Sequence, residues 1–141
     1  MRPSIAALGK ALEAPLPAND PCAAATFLLQ SGEYSLEYWL IAHDKTPTDA
    51  LKEGFRILAL HRQGAQGEPS FNACRETARE LVYYYNLIRL EPDHEDTPQR
   101  LEMMRMVARH LYLFISGKME VSGLGEFCCA SKPIRLKSQE A

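Results

Sequence analysis

The sequence lacks the features that mark a membrane protein, an exported protein or a strongly charged binding protein. No stretch approaches the roughly 18 uninterrupted apolar residues of a membrane-spanning helix, and residues 1–14 lack the apolar core of a signal peptide. The net charge of −2, from 16 basic and 18 acidic residues, gives no long-range field for nucleic acid or anionic lipid. The four cysteines form no Cys-x-x-Cys pair and are interpreted as reduced thiols. We therefore expect a cytoplasmic protein that does not bind membranes, with nucleic-acid binding unlikely.

Motifs for catalysis are also missing. The sequence contains no Gly-x-Ser-x-Gly, no Gly-x-x-x-x-Gly-Lys and no His-Glu-x-x-His. The acidic turn Glu91–Asp96 holds a Glu-x-x-His pair, but Pro92 interrupts it, so we interpret it as a solvated loop. The other histidines, His43, His61 and His110, are assigned to helix ends or packing positions. We predict no catalytic residue, no metal and no cofactor, and the protein is expected not to be an enzyme.

Proline and glycine divide the chain into helices. An oxygen-bearing side chain precedes proline at Asp20-Pro21, Thr46-Pro47 and Thr97-Pro98, which is typical of a helix N-terminus. Ser70 indicates a fourth start, and Gly32, Gly64 and Gly117 indicate helix ends. The predicted helices are Ser4–Glu13, Pro21–Ser31, Ser35–His43, Pro47–Gln63, Phe71–Leu90 and Pro98–Ser116.

This pattern, in 141 residues with 46% hydrophobic content, predicts an all-α, single-domain bundle of five to six helices. Residues 1–117 form the predicted domain, with 1–19 flexible or peripheral. Residues 118–141 form an irregular tail, either partly disordered or docked. Its Cys128-Cys129 pair and the basic run Lys132–Lys137 could allow thiol modification or partner binding.

The pattern Arg-x-x-Ala-Arg-x-Leu occurs twice, at Arg75–Leu81 and Arg105–Leu111, and an apolar, aromatic stretch follows each copy. Apolar residues recur at steps of three and four in both segments, which predicts a core-facing stripe on each helix. A short loop separates the two helices, so we predict that they form a long C-terminal antiparallel hairpin. The predicted stripes are Phe71, Cys74, Ala78, Leu81, Tyr85 and Ile88, and Leu101, Met104, Ala108, Leu111 and Ile115.

Three consecutive tyrosines, Tyr83 to Tyr85, span about 200° of a helix surface and cannot all face one core stripe. Either this helix is central and surrounded by neighbours, or part of it lies in an interface, where tyrosine is enriched. The predicted interface residues are Tyr83, Tyr84, Leu87, Tyr112 and Phe114.

The arginines of the repeated pattern allow a further hypothesis. Those of each copy are four apart and share a helix face, so together they could form a patch for an anion or an acidic peptide. Acidic neighbours, including Glu76, Glu80 and Glu102, favour a solvated face of weak ion pairs instead. The four residues of this possible anion patch are Arg75, Arg79, Arg105 and Arg109.

The sequence as a whole predicts a non-enzymatic protein-interaction module, such as a small regulatory, adaptor or chaperone-like protein. Its partner would be another protein or a second copy, most simply as a homodimer. Two alternatives remain. One is an enzyme or small-ligand-binding protein with a pocket between helices, and the other is a nucleic-acid-binding protein that uses the arginine patch.

Overall fold

The computed structural model describes residues 2–17, 19–66 and 75–120. Within these ranges the chain forms five α-helices and no β-strand, which confirms the all-α class. The helices are α1 (Ile5–Glu13), α2 (Pro21–Ala42), α3 (Arg56–Ala65), α4 (Arg75–Leu90) and α5 (Thr97–Glu120).

Helix α2 is the centre of the bundle. It contacts each of the other four helices, most extensively α5 and α4. Its buried residues cover about half of the helix circumference, and they include Leu28, Leu36, Trp39 and Leu40. The sequence suggested that the segment Phe71–Leu90 could be the surrounded helix, but the helix that contacts all the others is α2.

The predicted break at Gly32 is wrong, because α2 continues from Pro21 to Ala42. Gly32 is buried inside the helix. A Cβ atom at this position would lie 2.7 Å from Leu81 Cδ1 and 2.8 Å from Ile57 Cδ1. Glycine therefore lets α3 and α4 pack closely on α2, and two predicted helices become one.

The predicted helix start at Thr46-Pro47 is also wrong, since α3 begins only at Arg56. Residues 45–55 have no helix. Lys52 and Phe55 exchange backbone hydrogen bonds across a turn, in which Glu53 and Gly54 have positive φ angles of 55° and 87°. This turn interrupts the helical path that the proline signal predicted.

Helix ends were predicted with mixed success. The predicted N-cap at Asp20 is confirmed, because its side chain accepts a hydrogen bond from the Ala23 N–H. Ser4 caps α1 in the same way and accepts from the Ala7 N–H. Gly64 and Gly117 lie inside α3 and α5 and do not follow them. Thr97 is the first residue of α5 and donates its hydroxyl to the Glu91 carbonyl, so it is not the N-cap. Helix α5 continues to Glu120, so the first three residues of the predicted tail belong to this helix. The Ser70 start and the rest of the predicted tail lie outside the described residues.

The core stripes of the last two helices are confirmed where the structure describes them. Ala78, Leu81 and Ile88 of α4 are buried, and Tyr85 packs against them half-buried. The five α5 residues, Leu101 to Ile115 in steps of three and four, are also buried. Helices α4 and α5 contact each other, and both cover α2.

Candidate interaction surface

Large apolar side chains are exposed mainly on the last two helices. Two of those identified among the described residues, Ile41 and Leu51, lie elsewhere. The remaining five belong to α4 and α5, and their exposed fractions are 59% for Tyr83, 78% for Leu90, 41% for Met103, 61% for Met106 and 51% for Leu113.

Three of these residues belong to one stripe along α5, which we call the outer stripe: Met103, Met106, His110, Leu113 and Gly117. Each of its members follows a core residue by two positions, and two helical steps rotate a side chain by about 200°. The outer stripe therefore lies opposite the core stripe of the same helix. It carries no formally charged side chain when histidine is neutral.

The outer stripe was not predicted from the sequence. The pattern is nevertheless visible in the sequence. Met103, Met106 and Leu113 each follow a core-stripe residue by two positions, so they have the same spacing as the core stripe. The same apolar positions, however, would also be expected on a helix that neighbours cover on both sides. Only the packing of the chain distinguishes the two cases.

The predicted interface residues of α4 lie at different depths. The side chain of Tyr83 is exposed, and its ring meets that of Tyr84 edge-on with 5.2 Å between centroids. Tyr84 is half-buried against the core, and Leu87 is also half-buried. Tyr85 faces inward, where its ring makes an edge contact with Phe55 at 5.8 Å. The tyrosine run thus divides between core and surface.

Neither of the two predicted interface residues of α5 belongs to the outer stripe. Phe114 and Tyr112 are both half-buried against the core. Tyr112 lies against α1, since a Cβ atom at Gly9 would overlap the Tyr112 hydroxyl. Tyr112 therefore fixes α1 on α5, and it lies beside the core rather than on the outer stripe.

The described arginines of the repeated pattern have partners within the chain. Arg79 forms a two-pronged ion pair with Glu53, at 2.9 and 3.1 Å. Hydrogen bonding to Arg79 lowers the pKa of the Glu53 carboxyl. This pair joins α4 to the turn before α3.

Arg105 and Arg109 instead hold the end of α1. Arg105 donates to the Ala14 carbonyl at 3.0 Å and pairs with Glu102 at 2.8 Å. Arg109 pairs with Glu13 at 2.8 Å. Since the side chain of Arg75 lies outside the described residues, the four-arginine anion patch stays a prediction.

A second cluster of charges is buried on α2 and was not predicted. The Glu37 side chain is only 5% exposed and accepts from Arg2 Nε at 2.5 Å and from Arg56 Nη1. Arg56 lies 3.5 Å from Glu33 and also donates to the Thr48 carbonyl at 2.9 Å. The cluster ties the N-terminal residues and the segment before α3 to the central helix.

Burial changes the acidity of one carboxyl group in this cluster. Desolvation raises the pKa of Glu33, although the nearby Arg56 opposes the shift. Tyr38, the neighbour of Glu37, donates its hydroxyl to the Pro3 carbonyl. The contacts of this cluster therefore fasten segments together, and the arrangement explains its arginines without a ligand.

The histidines do not come together in a metal site. His43 Nδ1 lies 2.8 Å from the Trp39 carbonyl, and His94 accepts from the backbone of Asp96. His61 is buried in α3, whereas His110 is exposed on the outer stripe. In the part of the chain that the structure describes, no group of three or more His, Cys, Asp or Glu could hold a metal ion.

A cleft of about 400 Å³ lies between α5 and the segment after α1. Pro15, Leu16 and Leu101 contribute apolar walls, and Arg105 and Glu102 contribute polar ones. These two charged groups already bind each other. The cleft therefore has room for a ligand, but neither charged group of this pair is free to bind one.

Across the described ranges, no helix is both long and apolar enough to cross a bilayer. No protein-family model matches the chain, and no curated protein or solved structure is significantly similar to it.

Proposed function

We propose that this protein is a non-enzymatic protein-interaction module of the cytoplasm, of the small regulatory, adaptor or chaperone-like kind. Its binding surface is the outer stripe of α5 together with Tyr83 of α4. The observation that carries the proposal is the exposure of Met103, Met106 and Leu113 on one helix face. The partner that covers this face is either a different protein or a second copy of this chain.

The residue types support binding. Exposed apolar residues that lie next to one another are uncommon on monomers and mark interaction sites more often than isolated ones do. Methionine adapts its shape to a partner because its side chain is unbranched and polarizable. Tyrosine offers a large apolar ring and a hydroxyl that can remain in water. Met106 and Tyr83, at 61% and 59% exposed, provide both kinds of contact.

The proposal is tested by capture from an extract of the native host on immobilised protein. We expect a specific protein to be retained by the wild type and lost with Met106→Glu and Tyr83→Ser. The matched control is Leu51→Glu, because Leu51 is 66% exposed and lies before α3, outside the proposed surface. Circular dichroism should show the same helicity for all three variants.

Two results would contradict the proposal. One is equal retention by the wild type and the surface variants, which would place binding elsewhere. The other is the absence of any retained protein, including a second copy of the chain added at high concentration.

A further inference from the structure

The outer stripe has the spacing of a coiled-coil seam. Its five residues follow one another at steps of three, four, three and four, the repeat with which two helices pack side chains into each other's gaps. Covering such a stripe requires one further helix with the same repeat. The chain itself supplies that helix in its second copy.

The two flanks of the outer stripe differ in chemistry. Glu102 and Arg109, seven residues apart, lie along one flank, and Val107 and Phe114, also seven apart, lie along the other. The charged flank is open to solvent, with Glu102 56% and Arg109 49% exposed. The apolar flank is half-buried against the core.

These flanks favour one relative direction of two α5 helices. In a parallel pair, the charged flank of each helix would meet the apolar flank of the other, and charges would lose water without gaining partners. In an antiparallel pair, like flanks meet. Glu102 then faces Arg109 of the second copy, and two-fold symmetry repeats this contact. The charged flank of one copy is thus complementary to the charged flank of the other copy.

We propose that the partner on the outer stripe is a second copy of this chain, with the two α5 helices antiparallel and the two-fold axis near Met106. This inference rests on the proposed function and names its partner. With Glu102 opposite Arg109, Met103 and Met106 of the two copies pack on one another at the centre of the seam. His110 and Leu113 lie towards its ends, opposite residues 98–101 of the second copy, so only the first half of the outer stripe packs on itself. Arg109 and Glu102 share their charge between the second copy and their partners Glu13 and Arg105.

The seam is short, so the dimer is expected to be reversible. The outer stripe from Met103 to Gly117 is only about 21 Å long, and only its first half packs on itself in this register. Sedimentation velocity and light scattering should therefore cover about 5 to about 200 µM, the range in which small interfaces dissociate. We expect the average mass to rise from one chain towards two across this range.

Two substitutions with opposite effects test the seam. Met106→Glu should weaken association about tenfold or more, because it buries a charge at the centre. His110→Leu should tighten association several-fold, because it replaces a polar seam residue with an apolar one. Leu51→Glu should leave the association constant unchanged. A merely structural role of α5 would not produce tighter association in His110→Leu.

Cysteine cross-linking tests the direction. In the antiparallel pair, Met106→Cys lies near its own copy across the axis, whereas Leu113→Cys does not. A parallel, in-register pair would bring both positions together. Mild oxidation followed by peptide mapping distinguishes these bonds from those of the native cysteines. We expect a 106–106 bond and no 113–113 bond; efficient 113–113 cross-linking would overturn the antiparallel arrangement.

The proposed dimer can be wrong while the proposed function is right. A monomer at about 200 µM, well above the dissociation constants expected for a specific interface, would overturn the dimer. If Met106→Glu still abolished capture of another protein, the interaction module would stand with a different partner. A dimer insensitive to Met106→Glu and His110→Leu would also overturn the seam, because association would then use another surface.

Discussion

The two longest helices, α2 and α5, look alike in sequence but occupy different environments. Each carries apolar residues on more than one face, and each contains a glycine that resembles a helix end. In α2 most of the apolar side chains are covered, and a Cβ atom at Gly32 would crowd the side chains of Leu81 and Ile57. In α5 one face is covered, and Gly117 has open space around it. Apolar periodicity therefore shows which faces can be buried, but it does not show what covers them.

The largest effect should separate the two faces of α5. Met104 is fully buried and Met106 is 61% exposed, two residues further along. Met104→Ala should lower the free energy of unfolding by about 4 kcal/mol, because it leaves a cavity in the core. Met106→Ala should change it by less than about 0.5 kcal/mol. Urea unfolding at low protein concentration measures both. Equal losses would show that the outer stripe is covered within the monomer.

Removal of the buried carboxylate on α2 should have the next largest effect. Glu37→Ala leaves Arg2 and Arg56 without their shared partner and should cost about 3 kcal/mol. The comparison is Glu13→Ala, which breaks the exposed pair with Arg109 and should cost less than about 1 kcal/mol. Thermal and urea unfolding provide the readout. A Glu37→Ala variant as stable as the Glu13→Ala variant would mean that the cluster does not fasten the bundle.

The two glycines should respond to alanine with opposite signs. Gly32→Ala gains helix propensity but crowds Leu81 and Ile57, so we expect a net loss of about 1 kcal/mol. Gly117→Ala meets no neighbour within 4 Å and should gain up to about 1 kcal/mol. The difference between their unfolding midpoints measures how tightly α2 is covered. Stabilisation by both would show that the bundle has room around Gly32.

The smallest effect concerns pH and two carboxylates. Burial raises the pKa of Glu33 above its usual value of 4.5. Between 4.5 and the raised pKa, the folded state binds more protons, so the contribution of Glu33 to stability falls as pH rises. Glu33→Gln should therefore be slightly more stable than wild type at pH 7, by less than about 1 kcal/mol, and lose this advantage near pH 4.

The contribution of Glu53 to stability should show the opposite pH dependence in the same series. Arg79 lowers its pKa, so its contribution is present above pH 4.5 and disappears as pH falls through the folded-state pKa. Glu53→Gln should be less stable than wild type at pH 7, and the difference should shrink in acid. Two variants with the same pH profile would contradict the assignment of Glu33 as the desolvated group.

The parts of the fold that depend on neighbouring residues were predictable from sequence. The cap at Asp20 is a local hydrogen bond with the residue three positions on, and the α5 core stripe is local periodicity. The break at Gly32 was not predictable, because its cause is contact with Leu81 and Ile57 far along the chain. The predicted helix start after Thr46 is wrong for a local reason, because the turn at Glu53 and Gly54 interrupts the helical path.

The candidate surface was predictable only in part. Tyr83 belongs to the run that cannot all face one stripe, and it is exposed, while its place in an interface stays a prediction. Met103, Met106 and Leu113 were missed because a helix covered on two sides has the same apolar pattern. Arg105 and Arg109 also bind Ala14 and Glu13 at the end of α1, more than 90 residues earlier, and no sequence spacing indicates such a contact.

The central position of α2 also affects how the chain is made. Its most extensive contacts are with α5, which leaves the ribosome last among the described helices. Until α5 has emerged, the buried side of α2, including Leu28 and Leu36, lacks its main cover. Folding is therefore delayed until most of the chain has been synthesised, and nascent chains that stop before α5 should be favoured substrates for chaperones and proteases.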